Sequence, residues 1–312
     1  MKKQLLSILG LVVILFFLSA CGADGDNKEI KIGYQKQAIM LTLKNSEELQ
    51  KELKDLGYTI TWSEFSTGSS IIEALNSGSI DFANAGDMPS LFALAKGSDF
   101  QFIASEASAP ESEGILVGKD SGINSLADLK GKKVAYNNAS IAQYLLVKAL
   151  ATVDLTLEDI TPVILTPPDA SIAFEKGEVD AWVVWDPYMT VAESNGHKIL
   201  QTGAGIVPLR SFYLSSEKMV TEHPELVEVI VKYLGEIGRE IDEDPTDATK
   251  LMEKLTKVPA DTWEISLKRK RTDIKFMDEE AVKDLETQAQ DLLDIGLIEN
   301  KINFEGKIWY PE

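Results

Sequence analysis

Asp87 and Asp186 stand at matching places in two stretches that nearly repeat. "GSIDFANAGDMP" (78–89) and "GEVDAWVVWDP" (177–187) each run from Gly through an aliphatic-Asp pair (Ile80-Asp81, Val179-Asp180) and a short apolar segment. A second Asp follows six residues after the first, with a Pro close behind. The pattern reads as a helix closed by Gly, a strand opened by the aliphatic-Asp pair, and a next helix capped by the second Asp with Pro in its first turn. That puts Asp87 and Asp186 at the carboxyl end of a strand, where open α/β sheets bind ligands. Ser66-Thr67-Gly68-Ser69-Ser70 and Asn137-Asn138-Ala139-Ser140 have the same character of small hydroxyl and amide residues after a strand. Helix starts of this kind present unpaired N–H groups and a partial positive charge, which suit a small anion without Lys or Arg. Capping alone accounts for any one of them. Several converging from two lobes on one cleft make a binding site.

Catalytic chemistry lacks a constellation. The two histidines, His197 after Asn195-Gly196 and His223 before Pro224, have no Ser or carboxylate pattern of a triad or a zinc helix around them. There is no Gly-Lys-Ser/Thr phosphate loop and no G-x-G-x-x-G after a strand. Paired carboxylates carry no weight in a chain with 50 acidic residues. The expectation is a binding protein with no catalytic residue, no metal and no cofactor.

The elements that must position these turns alternate. "EIKIGYQ" (29–35), "YTITWSEF" (58–65), "IDFANA" (80–85) and "FQFIAS" (100–105) read as strands, with helices through Leu53, from Gly68, and from Met88 to Ala95. A second series follows: "GILVG" (114–118), "KKVAY" (132–136), a helix over 140–151, "ITPVIL" (160–165), a helix from Asp169, "VDAWVVW" (179–185) and a helix from Asp186. Alternation of this kind predicts βαβ units and parallel sheets in two similar lobes. From His223 the pattern is mostly helical, with Pro224, Pro245 and Pro259 near helix starts. Trp62 and Trp182, mid-strand, fit a core; Trp185, at a strand's end, fits core or cleft.

Composition places the protein. "MKKQLLSILGLVVILFFLSAC" has Lys2-Lys3, an apolar run from Leu5 to Leu18, then Ser19-Ala20 and Cys21, the single cysteine. The run is short for a spanning helix and ends in small residues, as an export signal does. Leu18-Ser19-Ala20-Cys21 resembles the bacterial lipobox, in which the signal is cut before Cys and the thiol is acylated. The expectation is therefore a signal peptide over 1–20, a lipid-anchored Cys21, a polar tether over 21–28 and a body outside the cytoplasm. With Cys21 acylated, no disulfide or thiolate metal site remains. The processed chain carries 29 basic against 50 acidic side chains, a net −21, which repels nucleic acid and anionic lipid. The nearest basic cluster, "LKRKRTDIK" (267–275), reads as a solvated helix face.

Longer stretches carry a family likeness. "IGYQK" (32–36), "LGYTITWSEFSTGSSIIEALNSGSIDFANAGDMPSLFALAKG" (56–97), "SLADLKGKKVAY" (125–136), "DASIAFEKGEVDAWVVWDPYMTVAE" (169–193) and "RSFYLSS" (210–216) resemble the aliphatic-sulfonate binding proteins of ABC importers. Binders of taurine, nitrate, bicarbonate and thiamin precursors belong to the same wider group. The resemblance implies an α/β, two-lobed type II periplasmic-binding fold, each lobe a mixed, largely parallel sheet flanked by helices, with a helical C-terminal tail. It implies lobe 1 over 29–108 and 209–312, lobe 2 over 109–208, and two crossings near 108–110 and 205–208. It further implies a monomer that captures a small solute and delivers it to a membrane permease. By the same resemblance Gln35, Thr67, Gly68, Asp87, Met88, Ser140, Trp182, Trp185 and Asp186 fall on cleft positions. Where the sulfonate subgroup reads "QKGSSAHYLL", this chain has "NNASIAQYLL" (137–146), with Asn138, Ala139, Ile141 and Gln143 in the places of Lys, Gly, Ser and His. Those changes remove a cation and add an aliphatic side chain at a helix start. Sulfonate is the expected ligand, with a neutral or more apolar solute, or a ligand-sensing role, as the alternatives.

Overall fold

Two sheets organise the chain, described in a computed structural model over residues 28–311. The signal run, Cys21 and all but the last residue of the tether lie outside the described residues. The first sheet holds β1 (Lys28–Tyr34), β2 (Tyr58–Glu64), β3 (Phe82–Gly86), β4 (Gln101–Ser105), β10 (Ser211–Ser215) and β11 (Lys275–Phe276), in the order β11-β4-β10-β3-β1-β2. The second holds β5 (Glu113–Val117), β6 (Lys133–Tyr136), β7 (Thr161–Ile164), β8 (Ala181–Trp185) and β9 (Lys198–Thr202), in the order β7-β6-β8-β5-β9. Without β11 the two orders superimpose strand for strand.

Each sheet carries one reversed strand at the same place. β1 pairs parallel with β2 and β3, and β6 with β7 and β8. β10 pairs antiparallel with β3 and β4, and β5 with β8 and β9. The reason is topological. β5 and β10 are the strands by which the chain enters a sheet from the other one, so they run away from the cleft while their neighbours run toward it. The parallel alternation expected from sequence holds inside each βαβ unit and breaks at these two entries.

The repeated aspartates at the strand starts do the same work in both lobes. Asp81 accepts the Lys31 N–H at 2.8 Å and donates its own N–H to the Lys31 carbonyl at 2.7 Å. Asp180 accepts the Lys133 N–H at 2.8 Å and returns its N–H to the Lys133 carbonyl at 2.8 Å. Each pins the start of its strand to the neighbouring one. Gly78 and Gly177, at φ of 72° and 69°, end the preceding helices in the left-handed conformation that glycine adopts most cheaply.

Helices cover both faces of the first sheet: α1 (Ala38–Lys44), α2 (Glu47–Asp55), α3 (Gly68–Asn76) and α4 (Asp87–Ala95). The second sheet has α5 (Ile141–Ala151), α6 (Pro167–Glu175) and α7 (Tyr188–Ser194). The helical pattern through Leu53 is in fact two helices, because the Ser46 hydroxyl accepts the Leu49 N–H at 3.2 Å and starts α2 afresh. β9, half-buried along most of its length, has no alternation by which sequence could reveal it. The C-terminal part, α8 (Glu217–Glu222), α9 (Pro224–Glu243), α10 (Thr246–Thr256), α11 (Ala260–Arg269) and α12 (Glu279–Asp294), is more than a helical tail. It adds β11 to the edge of the first sheet beside β4, and Trp263 of α11, 2% exposed, is part of the core packed on that sheet.

Three apolar clusters hold these layers. One lies on the α1–α9 face of the first sheet, and one behind the second sheet among Trp182, Phe174 and Met189. The third runs through both lobes, joining Leu91 of α4 and Phe212 of β10 to Leu145 of α5, Val183 of β8 and Leu285 of α12. Among the described residues no helix is long and apolar enough to cross a membrane.

Candidate functional site

A cavity of about 100 Å³ lies between the sheets at the ends of the parallel strands. Gln35 follows β1, Gly68 and Ser69 open α3, and Gly86 and Asp87 join β3 to α4. From the other lobe come Asn137, Ala139, Ser140 and Ile141 between β6 and α5, and Trp185, Asp186 and Pro187 after β8. The crossings contribute Ser112, Leu209, Arg210 and Ser211, and the α11 region contributes Trp263, Ser266, Leu267, Lys270 and Thr272.

The cavity is polar at helix starts and apolar elsewhere. Gly68 and Ser69 are the first residues of α3, and Ile141 is the first of α5. Their N–H groups have no intrahelical acceptor, and Ser140 makes no side-chain cap bond that would use those of α5. Two helix starts of nine and eleven residues, one per lobe, thus meet one space. Ile39, Ile141, Trp185, Leu209, Trp263 and Leu267 supply apolar wall.

The charged groups on the wall are largely committed. The Arg210 guanidinium donates to the Glu106 carbonyl at 2.9 Å, to Asp284 at 2.7 and 3.1 Å, and to Glu280 at 3.2 Å. Lys270 reaches buried Glu106 at 2.5 Å and Ser211 Oγ at 3.0 Å. An ammonium has three protons, so Lys270 keeps one for another partner. Asp87, fully buried, accepts N–H bonds from Met88 at 2.7 Å, Gln288 Nε2 at 2.8 Å and Arg210 N at 3.3 Å. Burial outweighs these bonds and pushes its carboxyl up to about 6. Burial likewise pushes Asp186 up to about 6, opposed by Thr190 and Arg269. Glu113, at the start of β5, is wholly buried with both oxygens unpartnered. Its carboxyl is pushed well up by burial and by the charge of Asp87, which favours the neutral acid.

Of the residues expected at the cleft, Gln35, Gly68, Asp87, Ser140, Trp185 and Asp186 come together on the cavity wall. The other four are placed elsewhere. Thr67 caps α3, its Oγ1 accepting the Ser70 N–H at 3.3 Å, so it shapes the turn from behind. Met88 is fully buried, pointing into the core beneath Asp87. Trp182 is 2% exposed and packs on Phe174 and Tyr188 at ring distances of 5.8 and 6.1 Å. Strand alternation explains it: Trp182 and Val184 face the α6–α7 layer, whereas Trp185, one residue on, reaches the strand's end. Gln143 folds back so that its Oε1 accepts the Ala139 N–H at 2.8 Å, closing the turn. Asn138 is exposed and off the cavity, so of the four departures from the sulfonate subgroup only Ala139 and Ile141 meet the cavity.

Two local readings also change. Asp87 is the first residue of α4 after an N-cap at Gly86, and α7 begins at Tyr188 after the turn at Asp186-Pro187. The basic stretch 267–275 is a solvated face only in part: Lys268, Arg271 and Lys275 are exposed, whereas Leu267, Lys270 and Thr272 line the cavity and Arg269 is only 20% exposed. Arg210, Ser211 and Lys270 were missed as site residues. Arg210 and Ser211 open the "RSFYLSS" run that carries the family likeness, the one signal that pointed to them. Lys270 sits in a helix-terminal run that has no signal of its own. Neither histidine lines the cavity: His197 faces Glu175 at 3.3 Å, and His223 lies between Tyr58 and Glu225. Among the described residues no group of His, Cys, Asp and Glu could hold a metal ion.

Residues 54–248 match the family described as NMT1/THI5 like. An aliphatic sulfonates-binding protein of Escherichia coli (strain K12) is 35% identical over 98% of this chain and 96% of that protein. A protein of the same description from Bacillus subtilis (strain 168) is 33% identical, covering 73% of this chain and 70% of its own length. Among solved structures, the alkanesulfonate-binding protein SsuA of Xanthomonas axonopodis pv. citri, bound to MOPS, superposes with a TM-score of 0.83 at 31% identity. That match covers 90% of this chain and 98% of the other. The periplasmic aliphatic sulphonate binding protein SsuA of Escherichia coli gives 0.80 at 33% identity over 91% and 93%. The desulfurization enzyme DSZB, at 14% identity and a TM-score of 0.65, shares the fold. The architecture is the two-lobed periplasmic-binding-protein fold, and the chain belongs to the NMT1/THI5-like family.

Proposed function

We propose that this member of the NMT1/THI5-like family is the extracytoplasmic solute-binding component of an ABC importer and captures an aliphatic sulfonate between its lobes. The observation that carries the reading is the meeting of two helix starts, one from each lobe, and Lys270 on a single amphipathic cavity. A sulfonate's oxygens accept from the N–H groups of Gly68, Ser69 and Ile141 and from the third Lys270 proton. Its alkyl chain lies against Trp185, Leu209 and Leu267. Relatives named as sulfonate-binding proteins support the assignment.

Residues 29–108 with 209–312 form lobe 1 and residues 109–208 form lobe 2, with the solute contacting both. Gln35, Gly68, Asp87, Ser140, Trp185 and Asp186 are the assigned contact residues from the sequence, joined by Ser69, Arg210 and Lys270. The protein acts as a monomer, tethered through acylated Cys21, and needs no cofactor. Metabolic labelling with a palmitate analogue tests the tether, since Cys21→Ala abolishes the label. Calorimetry with methanesulfonate and longer alkanesulfonates tests the ligand. Saturable binding lost in Lys270→Ala supports it; no heat with any sulfonate, alongside binding of nitrate or a neutral heterocycle, replaces the ligand and keeps the binding protein.

A further inference from the structure

The two flanks of the cleft are closed by different chemistry. On one flank α4, α5 and α12 share the apolar cluster that runs through both lobes. Asp291 of α12 adds an ion pair to Lys148 at 2.9 Å and accepts the Tyr144 hydroxyl at 2.5 Å. On the other flank, α11 meets α7 through polar groups centred on Arg269. Its Nη1 donates to Thr190 Oγ1 at 2.9 Å and stands 3.6 Å from Asp186 Oδ1, while Nη2 donates to Glu193 Oε2 at 2.5 Å. Thr190 in turn gives both its N–H and its hydroxyl to Asp186 Oδ1, at 2.9 and 2.6 Å.

We propose that Arg269 is the latch that couples solute capture to lobe closure. The inference rests on the cavity being the solute site, because one end of the latch is cavity wall and the other adjoins it. Asp186 belongs to the wall of lobe 2, and Leu267 and Lys270, beside Arg269, belong to the wall of lobe 1. Opening the α4–α5–α12 flank exposes apolar surface to water. Opening the α7–α11 flank exchanges ionic hydrogen bonds for hydration, a nearly balanced trade. The lobes therefore part on the Arg269 side. A solute that touches both walls favours the state in which they are together, and the latch forms in that state alone. Arg269 is a positioning residue that acts on affinity through Asp186 and Thr190 without touching the solute.

The test combines small-angle scattering of the ligand-free protein with stopped-flow dissociation of methanesulfonate. Arg269→Ala is expected to expand the ligand-free ensemble and to speed dissociation about tenfold, within the usual range of coupling between sites, with association nearly unchanged. Glu193→Gln gives a smaller change of the same sign, and the swap Arg269→Glu with Glu193→Arg recovers part of it. Lys148→Ala, on the apolar flank, changes dissociation less than about twofold. Unchanged scattering and dissociation in Arg269→Ala, or an equal effect of Lys148→Ala, overturns the latch. If the parent protein does not bind methanesulfonate, the ligand assignment fails, while the scattering of Arg269→Ala still decides the latch.

Discussion

Asp87 and Asp186 arise from the same local sequence, end the same strand in two matching sheets, and face the same cavity, yet they are wired differently. Asp87 is held inside lobe 1, by Met88 of its own helix, Gln288 of α12 and the Arg210 backbone. Asp186 is held by Thr190 of its own lobe and by Arg269, which comes across the cleft. One carboxyl is bonded only from its own side of the cavity, and the other also meets a side chain from the opposite side. A repeated unit fixes where a residue stands; what packs against it from distant chain fixes what it does.

Removing each carboxyl gives the largest contrast. Asp87→Ala leaves two buried backbone N–H groups without acceptors and takes from the Gln288 amide the shorter of its two bonds, keeping that to the Pro208 carbonyl, and is expected to cost roughly 3–5 kcal/mol of stability in urea denaturation. Asp186→Ala loses chiefly a local cap, about 1 kcal/mol, but weakens solute binding. Equal losses of stability would erase the distinction.

Acidity sharpens the comparison next. Both carboxyls are pushed up to about 6 in the folded protein, above their unfolded values, so the fold binds their protons more tightly. Their contribution is complete below about pH 4 and is lost as pH rises through about 6, on the order of 3 kcal/mol for each. The difference in stability between the parent and Asp87→Asn should therefore slope with pH across that window and be flat above it. Saturating solute should shift the corresponding Asp186→Asn profile more than that of Asp87→Asn, because it also draws Arg269 onto Asp186. An equal shift in both would mean that the cavity senses them alike.

The helix starts that face each other across the cavity provide a matched pair of smaller effects. A Cβ at Gly68 would stand 2.6 Å from Pro89 Cγ, so Gly68→Ala is expected to cost about 1–3 kcal/mol and to weaken sulfonate binding. Ala139, at the opposite start, holds φ at 50°. Ala139→Gly removes that strain and should raise stability by up to about 1 kcal/mol, read as a small rise in Tm. A loss at Ala139 and no loss at Gly68 would invert the roles assigned to the two walls.

Much of this was legible in the residues. The period-2 and helical patterns place nearly every strand and helix up to β8 within a few residues, and the Gly-aliphatic-Asp unit marks both sheet turns. Ser140 and Gly68 were readable as site residues because a helix start after a strand is a local event. Trp182 was readable as core from its mid-strand place, and only the resemblance put it at the cleft, because alternate side chains of one apolar run lie on opposite faces and the resemblance does not say which face is the cleft. Arg269 and Lys270 looked like a solvated basic run because nothing local shows that lobe 2 and buried Glu106 lie against them.

The sequence by itself determined the two α/β series, the strand-to-helix turns at Asp87 and Asp186, the acidic charge and the family, because each depends on contacts within a few residues or on composition. Only the tertiary structure decided the reversal of β5 and β10, the burial of Glu106 and Glu113, and the reach of Arg269 across the cleft. Those depend on which distant segments share a low-dielectric space, where the energy of a charge is set by its neighbours and not by its place in the chain.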